Sequence, residues 1–199
     1  MKKALILDYK IGNIASVGTF LRDNGYSVTL GCETTEIKKA ELLVLPGVGS
    51  FKIAADNLLD KKIVYELESR HLNNKATLGI CLGFQILTKT SSESPDSNGL
   101  GIFNGTTTRL KEFSRIGWGK LIFNQEINSL KDLYFYFNHS YGSYDIIDTS
   151  IRAFSGYSDY NALVASGNTI GVQFHPERSQ KSGNKFLKWL ESEVWGLND

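Results

Sequence analysis

The chain has 199 residues, 41% of them hydrophobic and 12% aromatic, so it can bury a core and fits one domain over residues 1–199. The 22 basic residues nearly balance the 21 acidic ones, which argues against nucleic acid or a membrane surface as partner. Two cysteines, Cys32 and Cys81, cannot build a disulfide framework and suit a reducing cytoplasm. The three histidines lack metal-ligand spacing and no phosphate-binding glycine fingerprint occurs, so neither metal nor cofactor is predicted.

The first ninety or so residues alternate apolar runs with helical periodicity. Runs without polar alternation are typical of strands covered on both faces, as in a parallel sheet flanked by helices. Strands are predicted at 4–7, 27–30, 42–45 and before Cys81, and helices at 14–21, 54–67 and 84–89.

The alternation of predicted strands and helices stops after about residue 91, where short strand candidates follow one another without long helices. They lie at 106–110, 120–123, 133–137, 152–154, 162–165 and 169–174, before an amphipathic helix at 186–194. The predicted fold class is therefore α/β, a mostly parallel central sheet with antiparallel additions in the C-terminal half.

Cys81 ends an apolar run and has Gly79 and Gly83 two residues away on either side. This Gly-x-nucleophile-x-Gly pattern is typical of a strand-to-helix elbow, on which a nucleophile projects from a strained turn. The helix predicted to follow would direct its N–H groups and dipole at a thiolate. A lone cysteine is more often a small buried residue, so the stretch alone leaves both interpretations open.

His175 is the strongest candidate for the base, because Pro176 and Glu177 follow it at the end of a predicted strand. Proline keeps the preceding residue extended, and residues i and i+2 of extended chain point to the same side. Glu177 could therefore accept the second imidazole N–H and stabilise the cation. A satisfied core histidine would have the same pattern. His71 lies in a polar helix end, and His139 is ambiguous.

The segment Pro46-Gly47-Val48-Gly49 ends a predicted central strand, where open α/β sheets bind their ligands. The backbone amides of Val48 and Leu82 could together form an oxyanion hole. A tight turn between strand and helix is the more frequent use of such glycines.

These three motifs, in this order and approximate spacing, resemble the class I, or triad, glutamine amidotransferases. Over essentially the whole chain, further residues are similar to the glutaminase subunits of imidazole glycerol phosphate synthase. They are Asp8-Tyr9, Gly12-Asn13, Phe51, Gly99-Leu100-Gly101, Gly117-Trp118, Asn138-His139-Ser140-Tyr141 and Ser179-Gln180. The resemblance implies a flavodoxin-like sheet and hydrolysis of L-glutamine to glutamate and ammonia. Cys81 would be the nucleophile, His175 the proton shuttle and Glu177 its orienter.

The same resemblance implies the residues that surround the substrate. The amides of Val48 and Leu82 would hold the oxyanion, and His139 would be structural. Five residues would contact glutamine, with Glu93 at the α-ammonium and Ser140 and Tyr141 at the α-carboxylate: Gly49, Gln85, Glu93, Ser140 and Tyr141.

A partner is implied as well, a (β/α)8 barrel cyclase or synthase subunit that forms a heterodimer and receives the ammonia through a channel. The pair would make imidazole glycerol phosphate and AICAR in histidine biosynthesis, with Asn13, Trp118 and Arg178 at the interface. The chain departs from the family at Lys10, where glycine is usual, and at residues 114–119, here Ser-Arg-Ile-Gly-Trp-Gly for Pro-His-Met-Gly-Trp-Asn.

Three alternatives stay open, and the first is suggested by the two departures, because both fall on the expected partner side. One is a paralogue that supplies ammonia for amidination of a bacterial surface sugar. The others are a γ-glutamyl hydrolase or cysteine peptidase, and a catalytically silent scaffold.

Overall fold

A computed structural model shows the fold and describes residues 1–58, 60–111, 114–147, 149–156 and 159–197. The N-terminal half alternates strands with helices. Its elements are β1 (Lys2–Leu7), α1 (Ile14–Asp23), β2 (Tyr26–Gly31), α2 (Thr34–Lys39), β3 (Leu42–Leu45), α3 (Phe51–Asn57), α4 (Lys61–Leu72), β4 (Thr77–Ile80) and α5 (Leu82–Gln85).

The C-terminal half consists mainly of strands and ends in one long helix. Its elements are β5 (Thr88–Ser91), β6 (Phe103–Arg109), β7 (Arg115–Phe123), β8 (Tyr134–His139), β9 (Tyr141–Tyr144), β10 (Ile151–Ser155), β11 (Asn161–Ser166), β12 (Thr169–Val172) and α6 (Gln180–Trp189). A π-helical turn, Leu190–Val194, continues α6. None of the helices in the described ranges is long and apolar enough to cross a membrane.

The strands join in one sheet with the order β2-β1-β3-β4-β12-β11-β10-β7-β8. The first five strands in this order, β2, β1, β3, β4 and β12, are parallel to one another. The remaining pairs, from β12–β11 to β7–β8, are antiparallel. A side branch of β5, β6 and β9 attaches to β11. The α/β class with antiparallel additions in the C-terminal half is therefore confirmed.

The apolar runs of the parallel strands supply side chains to both faces of the sheet. In β3, Leu42 and Val44 pack in one buried cluster, whereas Leu43 and Leu45 pack in the other. Because successive strand residues point to opposite faces, a strand covered on both sides must be apolar throughout. This explains why the run at 42–45 predicted the bounds of β3.

The single helix predicted over 54–67 is wrong, because two helices cover this region. α3 ends at Asn57 and α4 begins at Lys61, and the carboxylate of Asp60 accepts a hydrogen bond from the Lys62 amide at 2.8 Å. An aspartate in this position caps a new helix N-terminus, so it starts α4 instead of continuing α3. Leu59, which was counted in the predicted helix, lies outside the described residues.

The helix predicted over 84–89 is also wrong. α5 is a single turn, and Lys89 belongs to β5. The hydroxyl of Thr88 donates to the Gln85 carbonyl at 2.7 Å, while the carbonyls beyond it accept from the chain leading into β6. Pairing with β6 therefore supplies the hydrogen bonds that a longer helix would have made. β5, β9 and α2 were not predicted.

Candidate active site

Cys81 lies on a strained turn between β4 and α5, with φ of 52° and ψ of −104°. Its amide donates to the Val172 carbonyl at 2.7 Å, which ties the turn to β12. A side chain at Gly83 would collide with the Leu45 carbonyl oxygen, and one at Gly79 would lie 2.6 Å from the Gly83 oxygen. The two glycines are therefore required for the chain to turn this tightly while the sulfur projects from it.

His175 and Glu177 form a buried pair at the end of the neighbouring strand. Nδ1 of His175 lies 2.8 Å from Oε1 of Glu177, and the two side chains are only 3% and 1% exposed. Burial alone would lower the pKa of His175, but the nearby Cys81 sulfur and the hydrogen-bonded Glu177 carboxylate outweigh it and raise the pKa to about 10. The imidazole therefore carries a proton at neutral pH.

The second ring nitrogen of His175 has no hydrogen-bond partner among the residues that the structure describes. Cys81 is nonetheless close enough to be one of the two groups that raise the pKa of His175. Contacts between nucleophile and base are often long before substrate binds and shorten in the reacting complex. The free nitrogen is thus available for proton transfer at the sulfur.

A cavity of about 290 Å³ opens beside the sulfur of Cys81. Eight residues predicted for the site line it, namely Val48, Gly49, Cys81, Leu82, Gln85, Glu93, Ser140 and Tyr141, and Asn138 and His139 complete the wall. A larger cavity of about 480 Å³, between α1 and α6, includes Glu177 but not Cys81 among its described lining residues. The smaller cavity is therefore the candidate substrate site.

Two of the polar side chains predicted to bind substrate make hydrogen bonds within the protein. The Gln85 side-chain amide nitrogen donates to the Tyr141 carbonyl at 2.8 Å. One carboxylate oxygen of Glu93 accepts from the Phe51 amide at 3.3 Å, which leaves the negative charge at the cavity wall. An acid in this place suits a cationic group of a ligand.

The loop of residues 46–49 packs directly on the elbow. A side chain at Gly47 would come within 2.6 Å of the Leu82 Cβ, so this glycine permits the contact. Val48 is 43% exposed, and Gly49 has a φ of 127° that favours glycine. Val48 and Leu82, whose amides were predicted to form an oxyanion hole, both line the cavity beside Cys81.

Tyr9 is a residue of this site that the motif analysis did not assign. Its buried hydroxyl donates a hydrogen bond to the Pro46 carbonyl and so holds the start of the 46–49 loop. Burial, with a smaller contribution from the neighbouring Cys81, raises the pKa of Tyr9, so it remains a neutral donor. The sequence signal was a tyrosine directly after the first strand, facing the end of a neighbouring parallel strand.

Lys10, one of the two departures from the family pattern, has a φ of 63°, a conformation that favours glycine. Asp8 supports it, because one carboxylate oxygen accepts from the Lys10 amide at 3.1 Å and the other from its ammonium at 2.8 Å. The backbone conformation that glycine would provide is therefore kept without glycine.

His139 is buried and differs from His175 in its partners. Its Nδ1 lies 2.8 Å from the Tyr141 carbonyl and its Nε2 lies 3.2 Å from the Tyr160 hydroxyl. Burial lowers its pKa to about 4, and positive charge at His175 and Arg115 adds to the effect. A neutral imidazole with both nitrogens engaged supports the cavity wall and does not exchange protons with substrate.

Two of the three residues predicted for a partner interface lie in one aromatic stack. The guanidinium of Arg178 lies 4.5 Å from the ring centroid of Tyr136, and Trp118 contacts the same ring edge-on at 5.9 Å. Asn13 instead accepts from the Ser16 amide at 3.4 Å and caps α1. Tyr136 was not predicted, although the alternation in β8, where Phe135 and Phe137 are buried, indicates an outward face.

Among the described residues, no group of three or more histidine, cysteine or carboxylate side chains is placed to hold a metal ion.

The family description Glutamine amidotransferase class-I matches residues 5–191, so the chain belongs to that family. Its relatives include proteins named imidazole glycerol phosphate synthase subunit HisH. The one from Carboxydothermus hydrogenoformans is 35% identical and the match covers 94% of this chain and 97% of the relative. The one from Pyrococcus furiosus is 38% identical over the same shares of the two chains.

Solved structures show the same fold at lower identity. A structure titled "Crystal structure of glutamine amidotransferase" superposes with a TM-score of 0.76 at 18% identity, over 95% of this chain and 97% of the other. A chain of the PurLQS structure from Thermotoga maritima gives 0.75 at 22% identity, over 96% and 98%.

Proposed function

We propose that this chain is the glutaminase subunit of an imidazole glycerol phosphate synthase. It hydrolyses L-glutamine to glutamate and ammonia in the cytoplasm. The ammonia passes to a (β/α)8 barrel partner that makes imidazole glycerol phosphate and AICAR in histidine biosynthesis. The observation that carries the proposal is the cavity beside Cys81, since it joins the elbow, the 46–49 loop and the Gln85–Glu93 wall in one space.

The chemistry begins with the thiolate of Cys81, which attacks the side-chain amide carbon of glutamine. The negative oxygen of the tetrahedral intermediate is stabilised by N–H groups of Val48 and Leu82. His175, already protonated, gives its proton to the departing nitrogen, so ammonia leaves and a γ-glutamyl thioester remains. Water then attacks the thioester with His175 as the base, which releases glutamate and restores the cysteine.

Glu177 acts through His175. Its carboxylate accepts the Nδ1–H at 2.8 Å, which fixes the ring and presents Nε2 to the sulfur and the leaving group. Because both side chains are almost completely buried, water does not screen this interaction.

The docking face proposed for the barrel partner lies on one side of the β7–β8 hairpin. It comprises Ile116, Trp118, Ile122, Tyr134 and Tyr136, with Arg178 stacked on Tyr136. Exposed aromatic side chains with an arginine are the composition typical of interface centres. β8 also supports the site, because the Tyr136 carbonyl accepts from the His175 amide at 2.8 Å.

The alternative in which the ammonia goes to a bacterial surface sugar is not favoured. The relatives described above carry the name of the imidazole glycerol phosphate synthase subunit and match nearly the full length of both chains. The changed residues at 10 and 114–119 do not alter the cavity wall, since none of them lines it.

The experiment is reconstitution of Cys81→Ala with a purified barrel partner. Glutamine-dependent product should vanish, whereas added ammonium should support synthesis at the wild-type rate. The matched control is Cys32→Ser, which changes an exposed cysteine and should keep both activities. Glutamine turnover that survives Cys81→Ala would refute the assignment of the nucleophile. Failure of a thiol-reactive glutamine analogue to label Cys81 in the complex would support the silent scaffold instead.

The docking face is tested by Trp118→Asp, which places a charge among the exposed aromatic residues. We expect loss of co-purification with the barrel subunit. Tyr65→Asp is the matched control, because Tyr65 is an exposed aromatic residue of α4, outside the face. If wild type and Trp118→Asp retain the partner equally, the interface lies elsewhere on the chain.

A further inference from the structure

We propose that Gln173 is a positioning residue that donates a hydrogen bond to the sulfur of Cys81 and holds it in the thiolate form. The inference rests on the proposed glutaminase function and adds a group to the site that neither the motifs nor the cavity wall include. Gln173 follows β12 and is completely buried. Its side-chain Nε2 lies 3.6 Å from the Cys81 Sγ.

A chain of hydrogen bonds that begins at the Tyr141 carbonyl determines which atom of the Gln173 side chain faces the sulfur. The Tyr141 carbonyl can only accept, so the side chain of Gln85 must turn its NH₂ group toward it, at 2.8 Å. The same NH₂ group donates its second proton to the Oε1 of Gln173, at 3.2 Å. With its oxygen facing Gln85, Gln173 can present only its NH₂ group to the sulfur.

Besides the titratable side chains of His175 and Tyr9, two uncharged groups contact the sulfur, and these two favour opposite protonation states. The Asn138 carbonyl, 3.9 Å from Sγ, can only accept and so interacts with the thiol. The Gln173 amide can only donate and so interacts with the thiolate. Because a hydrogen bond to a charged group is the stronger kind, the donor has the larger effect.

The helix behind the nucleophile is short, so it contributes little to stabilising a thiolate. α5 has four residues, and a single turn aligns few peptide dipoles. The backbone also restrains the donor, since the Gln173 amide donates to the Ala162 carbonyl at 2.9 Å. Gln173 and His175 both follow β12 and are two residues apart, so one segment supplies both the donor to the thiolate and the base.

The test measures the rate of Cys81 alkylation by iodoacetamide as a function of pH, in the full chain carrying Cys32→Ser so that one cysteine reacts. Gln173→Leu removes the donor. Gln173→Glu keeps the size and the acceptor for Gln85 but replaces the donor with a carboxyl, which gives up its proton before a thiol does. In both variants the pH midpoint of alkylation should rise by about one unit, which makes alkylation below the midpoint about tenfold slower.

Thr107→Val is the matched control. Thr107 is buried and its hydroxyl contacts Thr88 and Ser143, so the variant loses buried hydrogen bonds away from the sulfur. Its alkylation midpoint should equal that of the parent chain, even if its melting temperature falls. A structural role for Gln173 would lower the melting temperature in the same way and leave the midpoint where it was.

An unchanged midpoint in either folded Gln173 variant would overturn the inference. The outcome is separate from the fate of the proposed function, because alkylation requires neither glutamine nor a partner. If the Gln173 variants shift the midpoint but the parent chain with its partner does not hydrolyse glutamine, the proposed glutaminase function is refuted and the role of Gln173 stands. If the parent chain hydrolyses glutamine but the variants leave the midpoint unchanged, the proposed function stands and the role of Gln173 is refuted.

Discussion

The surroundings of His175 and of His139 leave one buried imidazole positively charged and the other neutral. Burial lowers the pKa of both, but the Cys81 sulfur and the Glu177 carboxylate raise that of His175 to about 10. His139 has only a carbonyl and a phenol as partners. Burial therefore lowers its pKa to about 4, helped by positive charge at His175 and Arg115, and the hydrogen bond to the Tyr141 carbonyl offsets only part of this effect. The ionic character of the partners, and not the extent of burial, therefore decides which histidine can serve as an acid and base.

The largest expected effect separates the two histidines in catalysis. His175→Asn should reduce glutamine hydrolysis in the reconstituted complex by on the order of 10³-fold, because the leaving nitrogen loses its proton donor. His139→Gln, which keeps a neutral polar side chain in the cavity wall, should cost less than about tenfold. Steady-state release of glutamate measures both, with ammonium-dependent synthesis as the control for assembly. A comparable loss in both variants would contradict the assignment of a single base.

The next effect tests the charge beside His175. Glu177→Gln removes the carboxylate at Nδ1, so hydrolysis should fall by about 10²-fold and the pKa of His175 should fall toward its ordinary value. The pH profile of hydrolysis and an NMR titration of His175 measure this change. Asp56→Asn, which neutralises an exposed carboxylate paired with Lys52, should leave both as in wild type. A His175 titration that is insensitive to Glu177→Gln would mean that Cys81 alone sets its charge.

The smallest effect concerns stability and has opposite signs for the two residues. The pKa of His139 lies below its unfolded value of 6.5, so its contribution is present above pH 6.5 and is lost as pH falls toward 4. The pKa of His175 is raised, so its contribution is present below 6.5 and is lost as pH rises toward 10. Between pH 6.5 and 5, wild type should lose about 2 kcal/mol more unfolding free energy than His139→Gln.

Urea unfolding at the two pH values measures this difference. His71→Gln is the reference, because His71 is only partly buried and burial lowers its pKa as well. Equal pH slopes for wild type and His139→Gln would show that folding does not lower the pKa of His139.

Features of the chain that depend on near neighbours were predictable from sequence. The run at 42–45 has the bounds of β3, because a strand between two layers of helices needs apolar residues on both faces. The pairing of His175 with Glu177 was predicted from an extended chain, but only His175 is extended and Pro176–Arg178 forms a 3-10 helix. The two side chains nevertheless lie 2.8 Å apart, so the contact was predicted correctly and the backbone conformation was not. The turn at Cys81 needs glycines at two fixed offsets, which the sequence shows directly.

Predictions failed where the decisive partner was distant. The pattern after Cys81 favours a longer helix, but β6 pairs with the chain from Thr88 and ends α5 after one turn. The one helix predicted over 54–67 failed on a local feature instead, because Asp60 caps the start of α4 and so divides the region into two helices.

The sequence by itself determined the parallel core, the strained cysteine and the histidine–glutamate pair, because each follows from backbone geometry and residues a few positions apart. Only the tertiary structure decided which other groups act on them. Gln173 contacts the sulfur of Cys81 from 92 positions away, and Tyr9 holds the Pro46 carbonyl from 37 positions away. Such contacts depend on strand order and register, which no local pattern of residues specifies.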